Sequence, residues 1–545
     1  MYFTLAVSAA TPALCAALSD RARIADPAAM PVPGPPEVVW RAADGRAAML
    51  RWGGSPGDEA VLGSSPATSH AGTIWAGQPT PGSDRAPLYA RTSITRVDPV
   101  YVARVPGAVI LSDRATWAAA ATGVLGVLDP LHICALLNPG FPLGSVTPFK
   151  SVSALAPSTT LHLQAGALTS GASDAAAAGP GSHASHGKRG GDARAVAAAL
   201  VEAVAPLRAA GATVQLSLTG GKDSRLVAAA LVAAEVPVLA RTYGFAGHPD
   251  VVLAAQIADR LGIQHTVTAP AAPGQQTDVA GRLRATVLVA DGMLSAFENV
   301  GRPDPAPSAT VTAGGHGGEL LRGGYAETAA GRRAAQLRAG ELLRRLTTRH
   351  LGLLRRGAAA GYAASLAPWT AALARGPLQA LDDFYLVNRA GRWSAAARQA
   401  YLIRESLVQP LFDEHVVLAA RAVPLATRIS GELSRAVLAE LSPALADVPL
   451  AGKGSGPADA GAASSSSFDW RRQYGEEIAS FLRDYTLGLG TSGGLFDVVS
   501  RAAAEKALTA PHADRGTVWA LATLACLVSG DYRNARNPAR LLSVT

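Results

Sequence analysis

The sequence predicts an α/β protein: a β-rich N-terminal region, then a doubly wound parallel sheet extended by added helices. Three observations carry this prediction. From Asp192 onward, helical and strand-like segments alternate at the lengths of βαβ units. Within that alternation, Gly220 and Gly221 turn a strand pattern directly into a helix pattern. Before it, short β-rich runs separated by Gly/Pro turns are cut off by a stretch rich in Gly, Ala, Ser and His. The chain therefore divides into an N-terminal domain over 1–167, a flexible linker over 168–193 and a C-terminal domain over 194–545.

In chain order, residues 1–7 read as a first strand, apolar but lacking the positive n-region of a signal peptide. Strands follow at 37–40, 48–52, 100–103 and 108–111, a helix at 116–127 and a last strand at 159–163. The second region begins with a helix at 195–204, a strand at 213–218 and a helix at 224–234. A strand at 236–243, a helix at 249–261 and strands at 264–267 and 309–313 complete the sheet. Beyond residue 330 the pattern is mainly helical. No internal repeat stands out.

A hydrophobic content of 49% against 17% charged describes a globular chain with ample core rather than a disordered one. The net charge of +8 is spread, with no basic run or aromatic-interleaved basic patch, so nucleic acid is not an expected partner. ATP and an acidic peptide would both benefit from it. No apolar run suits a membrane span. Three cysteines (Cys15, Cys134 and Cys526) at unrelated spacings make neither a zinc site nor a disulfide framework, and a reduced, cytoplasmic setting is expected. Of 49 basic residues only five are lysine, and two of these, Lys222 and Lys453, sit among glycines. That is the pattern a phosphate-handling site leaves, since an ammonium is a compact point charge.

The stretch Leu218-Thr219-Gly220-Gly221-Lys222-Asp223-Ser224 is the most informative part of the chain. Unpaired N–H groups and the dipole of the following helix converge there into an anion site. Thr219 and Ser224 add hydroxyls, and Asp223 can hold magnesium against phosphate. A Walker A loop is excluded, because Leu216 stands where its first glycine belongs and Asp223 follows the lysine. The stretch resembles the Ser-Gly-Gly-x-Asp-Ser loop of ATP pyrophosphatases, with Thr219 in place of the first serine. That resemblance implies a nucleotide site made by Leu218, Thr219, Gly220, Gly221, Asp223 and Ser224.

A second glycine loop, Gly314-Gly315-His316-Gly317-Gly318-Glu319-Leu320-Leu321-Arg322-Gly323-Gly324-Tyr325, follows the strand at 309–313. Asp223 and Glu319 are therefore expected to share magnesium across the top of the sheet. The loop is similar to the Ser-Gly-x-Gly-Ser-Asp-Glu-x-x-Gly-Gly-Tyr stretch of the asparagine synthetase and β-lactam synthetase superfamily. The resemblance puts Glu319 on the metal-binding Asp and Gly315 on a nucleotide-contacting glycine. His316 falls where these enzymes place a Glu or Tyr near the reacting groups, which makes it a candidate base. Leu320 departs from the second acid. Pro410-Leu411-Phe412-Asp413 is similar to the family's Pro-Phe-Leu-Asp, and Arg435 sits in its Lys/Arg helix position. Lys453-Gly454 looks like the late Lys-x-Gly region whose ammonium contacts phosphate and acyl oxygens, at a shorter spacing.

The resemblance implies a glutaminase-like αββα sandwich for 1–167 and an ATP pyrophosphatase domain behind it. Glutamine hydrolysis in that family needs a Cys directly after the initiator Met. Here that residue is Tyr2, and Cys15 is displaced, so the N-terminal domain is expected not to make ammonia. The implied reaction is ATP-dependent amide formation through an acyl-adenylate, with ATP and Mg²⁺ as cofactors. The forms of the two loops look most like lasso peptide cyclases, which join a peptide's N-terminal amine to an Asp or Glu side chain. A precursor peptide, a leader-binding protein and a leader peptidase are the partners so implied. A β-lactam-type or other small-molecule amide synthetase, and a non-catalytic scaffold of the same fold, stay open. An RNA-modifying pyrophosphatase would need a basic groove, and none shows.

Overall fold

A computed structural model describes residues 3–23, 37–52, 73–77, 87–172, 192–269, 278–298, 300, 311–330, 335–403, 406–450, 475–491, 494–510 and 512–534. The N-terminal strands are β1 (Phe3–Ala9), β2 (Glu37–Arg41), β3 (Ala47–Trp52), β4 (Thr73–Ala76), β5 (Leu88–Arg91), β6 (Tyr101–Val105), β7 (Ala108–Ser112), β8 (Val152–Ala154), β9 (Thr159–Gln164) and β10 (Ala167–Ala172). They form two antiparallel sheets, ordered β2-β3-β1-β7-β6-β8 and β10-β9-β5-β4. Alternation along the strands decides which residues meet between the sheets. Ala6, Met49, Val109 and Leu111 from one sheet face Leu88, Ala90, Leu161 and Leu163 from the other. Leu5, Val7, Leu50 and Ile110 point the opposite way, against α1 (Pro12–Arg23), α2 (Ala115–Thr122) and α3 (Pro130–Leu137).

Two boundaries differ from the sequence expectation. The helix expected over 116–127 ends at Thr122, because Gly123 takes the left-handed conformation (φ 79°) and caps it. A separate helix, α3, starts behind Asp129, whose side chain accepts from Leu131 N. The linker expected from 168 begins instead with β10, which pairs in register with β9 (Leu168 opposite Leu163). No Asn-Gly or Asp-Gly pair marks this hairpin in the sequence. It turns on Ala165 and Gly166, both at positive φ.

The third sheet is fully parallel: β11 (Val214–Ser217), β12 (Val238–Tyr243), β13 (Gln264–Thr268), β14 (Val311–Gly314) and β15 (Ser406–Val408). Its order is β13-β12-β11-β14-β15. The order of succession therefore reverses between β11 and β14, the switch point beyond whose carboxyl edge ligands bind. The helices α4 (Ala193–Ala209), α5 (Lys222–Ala233), α6 (Pro249–Leu261) and α7 (Val279–Val289) follow in chain order. The sheet's core joins Val214, Leu216 and Ala313 to Leu200, Leu226, Ala254 and Val416.

The largest core is shared between the two halves of the chain. Trp117, Ile133 and Leu136 cluster with Leu288, Met293, Leu521 and Leu524. Behind the parallel sheet the chain is mainly helical, as expected. Among the described residues no helix is long and apolar enough to cross a membrane.

Candidate active site

The two glycine loops leave β11 and β14, the neighbouring strands at the switch point. After β11 the chain turns through Thr219-Gly220-Gly221, and α5 starts at Lys222 with Gly221 as an extended N-cap. No side chain caps this helix, so its first amides are kept for a ligand. The loop is self-braced. Thr219 N donates to Ser224 Oγ at 3.1 Å, Ser224 Oγ donates to Thr219 O at 3.2 Å, and Gly221 N donates to Thr219 Oγ1 at 3.2 Å. Gly220 N donates to Asp250 Oδ1 at 3.0 Å, from the first turn of α6. Leu218 is buried beneath the loop, and its carbonyl accepts from Thr242 Oγ1 at 2.8 Å. Lys222 is exposed.

Arg225 fastens this loop from below. Its buried guanidinium donates to the carbonyls of Gly220 (3.0 Å), Gly221 (3.3 Å), Val448 (2.8 Å) and Pro449 (2.9 Å). Burial lowers its pKa. The chain leading toward Lys453 is thereby tied to the nucleotide-loop candidate, while Lys453 itself lies outside the described residues.

The second loop packs on the first with no space between them. A methyl group on Gly315 would lie 2.5 Å from Ser224 N and 2.8 Å from Asp223 C. One on Gly318 would lie 2.0 Å from Asp223 Cγ. Only glycine allows this approach. It sets the second loop, which carries His316 and Glu319, directly against Ser224 and Asp223 of the first. Asp223 pairs with Arg322, which also holds Glu327 with Nε at 3.1 Å from Oε2. Burial raises the Asp223 pKa, and the negative charges of Glu319 and Glu327 push the same way against Arg322. Burial also works against the Arg322 charge, but the two carboxylates outweigh it and raise its pKa.

His316 is exposed to solvent. Loss of hydration lowers its pKa; Glu319 and Asp223 oppose this, and Arg389 acts in the same sense as the desolvation. Burial, and next the Glu319 charge, raise the Tyr385 pKa. Tyr325 stands edge-on to Tyr385 with ring centroids 5.0 Å apart.

Tyr385 and Arg322 line the candidate site, and the sequence reading missed them as such. Arg322 lies inside the glycine loop, so its charge beside two acids was a usable signal. Tyr385 had none, for it arrives on a π-helical segment, Tyr385–Ser394, far along the chain. Two other expectations resolve structurally. Asp413 N-caps the helix Glu414–Ala422, accepting from His415 N (2.8 Å) and Val416 N (3.1 Å). Arg435 is exposed on the helix Glu432–Leu441. Cys15 is buried in the core, where desolvation raises its thiol pKa, the opposite of an activated nucleophile.

With this geometry in place, the comparisons with known proteins add one finding. Residues 195–442 match the family model described as asparagine synthase. The matched region runs from α4 through both glycine loops to the helix Glu432–Leu441. Over that region the chain is similar to the asparagine synthase family. No curated protein matches the chain.

Proposed function

We propose that this chain activates a carboxylate with ATP and joins it to an amine, and that its substrate is a lasso precursor peptide. The product on this reading is a ring closed between the peptide's N-terminal amine and an Asp or Glu side chain. One observation supports it most: the interlock of Gly315 and Gly318 with Ser224 and Asp223. It sets the second loop, with His316 and Glu319, against Asp223 and the uncapped N-terminus of α5 at the switch point.

In the reaction a carboxylate oxygen bonds to the α-phosphorus of ATP and the bond to the bridging oxygen breaks, releasing pyrophosphate. The amine then attacks the acyl carbon and AMP leaves. The glycine loop with Thr219 and Ser224, together with the uncapped N-terminus of α5, is assigned to the phosphates. Asp223 and Glu319 suit Mg²⁺, which typically takes one or two carboxylates plus substrate phosphates. When bound, that ion neutralises phosphate charge. Among the described residues no group of three or more His, Cys, Asp or Glu side chains gathers for a metal, so phosphates must complete the shell. His316 is assigned as the base that accepts the proton of the incoming amine, on the resemblance and on its place in the second loop. Lys453 is assigned to the phosphate and acyl oxygens on the resemblance alone. On this reading the amine comes from the substrate itself; Cys15 is buried in the core and does not serve as a nucleophile for making ammonia.

The ion pair from Arg322 to Asp223 favours a second reading, a binding scaffold in which arginine has taken the metal's place. Mass spectrometry decides between them, using the protein, Mg-ATP and a candidate precursor peptide with its leader-binding protein and leader peptidase. Loss of one water with matching AMP and pyrophosphate is expected. Asp223→Asn and Lys453→Ala should each lower it about a hundredfold or more. AMP without cyclisation means a small-molecule amide synthetase, and no AMP at all means the scaffold.

A further inference from the structure

Arg225 is a cation placed where a helix start disfavours one. It stands in the first turn of α5, at the positive end of the helix dipole. Its side chain is buried and pairs with no carboxylate among the described residues. What holds it is four backbone carbonyls on two separate stretches of chain. Gly220 (3.0 Å) and Gly221 (3.3 Å) belong to the glycine loop, Val448 (2.8 Å) and Pro449 (2.9 Å) to the segment behind the helix Glu432–Leu441. All three guanidinium nitrogens are engaged.

A trans peptide unit points its carbonyl and its N–H in opposite directions. Holding the Gly221 carbonyl therefore turns the N–H of Lys222 to the far side, at the uncapped start of α5. The Gly220 carbonyl is held in the same way, and the N–H of Gly221 turns to Thr219 Oγ1 at 3.2 Å. The guanidinium thus sets both peptide units of the loop before a ligand arrives. Its charge lies behind the anion site, where burial leaves it poorly screened and an arriving anion offsets it.

The other two carbonyls extend this arrangement along the chain. Arg260 of α6 pins the same segment from outside, with Nη1 donating to Ala444 O (2.9 Å) and Asp447 Oδ1 (2.8 Å). Residues 444–449 are strapped between α6 and the start of α5.

We infer that Arg225 is the positioning residue of the glycine loop: it presets the loop's peptide units for a polyphosphate and couples the binding of that ligand to the seating of residues 444–449. This assignment rests on the ATP-dependent reading above.

The test uses the full chain, with Mg-pyrophosphate as the probe of the loop and Mg-ATP in parallel, both titrated by calorimetry. Arg225→Gln should weaken each about tenfold or more, the range of hydrogen bonds to a charged group. Arg225→Lys keeps the charge but cannot span four carbonyls, and should recover part of the loss. Hydrogen exchange over 444–449 should slow when Mg-pyrophosphate binds the wild type, and should not respond in Arg225→Gln. Equal affinity in the wild type and both variants overturns the assignment, as does an exchange response that survives in Arg225→Gln. If circular dichroism shows Arg225→Gln unfolded, Arg225→Lys decides alone, and wild-type affinity with a wild-type exchange response there overturns the assignment. A wild type that binds neither Mg-pyrophosphate nor Mg-ATP overturns the ATP reading instead.

Discussion

A single methyl group is enough to test the junction of the two loops. On Gly318 it would fall 2.0 to 2.6 Å from the three terminal atoms of the Asp223 carboxyl group. Something must move, and the movable part is the carboxylate. Gly318→Ala is therefore expected to lower ATP-dependent turnover about a hundredfold, the effect of an ångström-scale misplacement. Its thermal midpoint should change little, because the strained partner is a side chain. Steady-state kinetics beside a melting curve checks both halves of that statement. The loop residues themselves are legible in sequence, because a strand, a glycine turn and a helix start are adjacent in the chain. The partners of Asp223 and Gly324 are different. Arg322 reaches Asp223 through packing, and no local pattern marks a tyrosine that will pack on Gly324 far earlier in the chain.

At the scale of the element, the wall of the site is one helix that changes its winding. Pro377–Phe384 and Ala395–Leu402 are α-helical, and Tyr385–Ser394 between them is a π-helix. Wide turns of this kind recur at functional sites. Here the π segment faces two ways. Tyr385 packs against Gly324 of the second glycine loop, while Arg96 donates to the carbonyls of Val387 (3.0 Å) and Gly391 (3.2 Å). Asn388 Oδ1 accepts from Gly144 N at 2.9 Å. At Gly391 a Cβ would come within 3.1 Å of Thr95 O and 3.2 Å of Arg96 Nε. Gly391→Val should wedge the segment away, costing about 1–3 kcal/mol, and should lower turnover although it touches no site residue. Denaturant melts and turnover on the same sample check this. Helix over this region was legible from composition and pattern. The π winding was not, because the carbonyls that leave the α pattern are those that Arg96 binds from another part of the chain.

Arginines reach across the two halves of the molecule, and Arg96 and Arg114 among them are buried. Arg114 pairs with Asp291 at 2.6 Å, Arg91 pairs with Glu414, and Arg96 spans Leu155, Val387 and Gly391. Arg96→Met leaves those carbonyls without a donor and should cost about 3–5 kcal/mol, by analogy with breaking a buried charged contact. Limited proteolysis should then release the N-terminal unit sooner. Asp113 adds a pH dependence to the same fold. Its carboxyl is enclosed, and burial pushes its pKa up to about 8. The unfolded value is about 3.9, so between about pH 4 and 8 the folded state holds the extra proton. Stability from this group is complete below that window and is lost as pH rises through it. Asp113→Asn should therefore flatten the fall in melting temperature between about pH 5 and 9.

By itself the sequence determined the alternation of strand and helix, the position of the nucleotide-loop candidate and the acids at its top. Each depends on neighbours in the chain: side-chain periodicity, glycine at a turn, a helix start behind it. Only the tertiary structure decided that β11 and β14 would be adjacent, that Gly315 and Gly318 would lock onto Asp223, and that a distant π segment would bring Tyr385. It also packed the two halves of the chain around one shared core. These are contacts between residues remote in sequence, set by the packing of whole faces, and no short stretch of chain carries them.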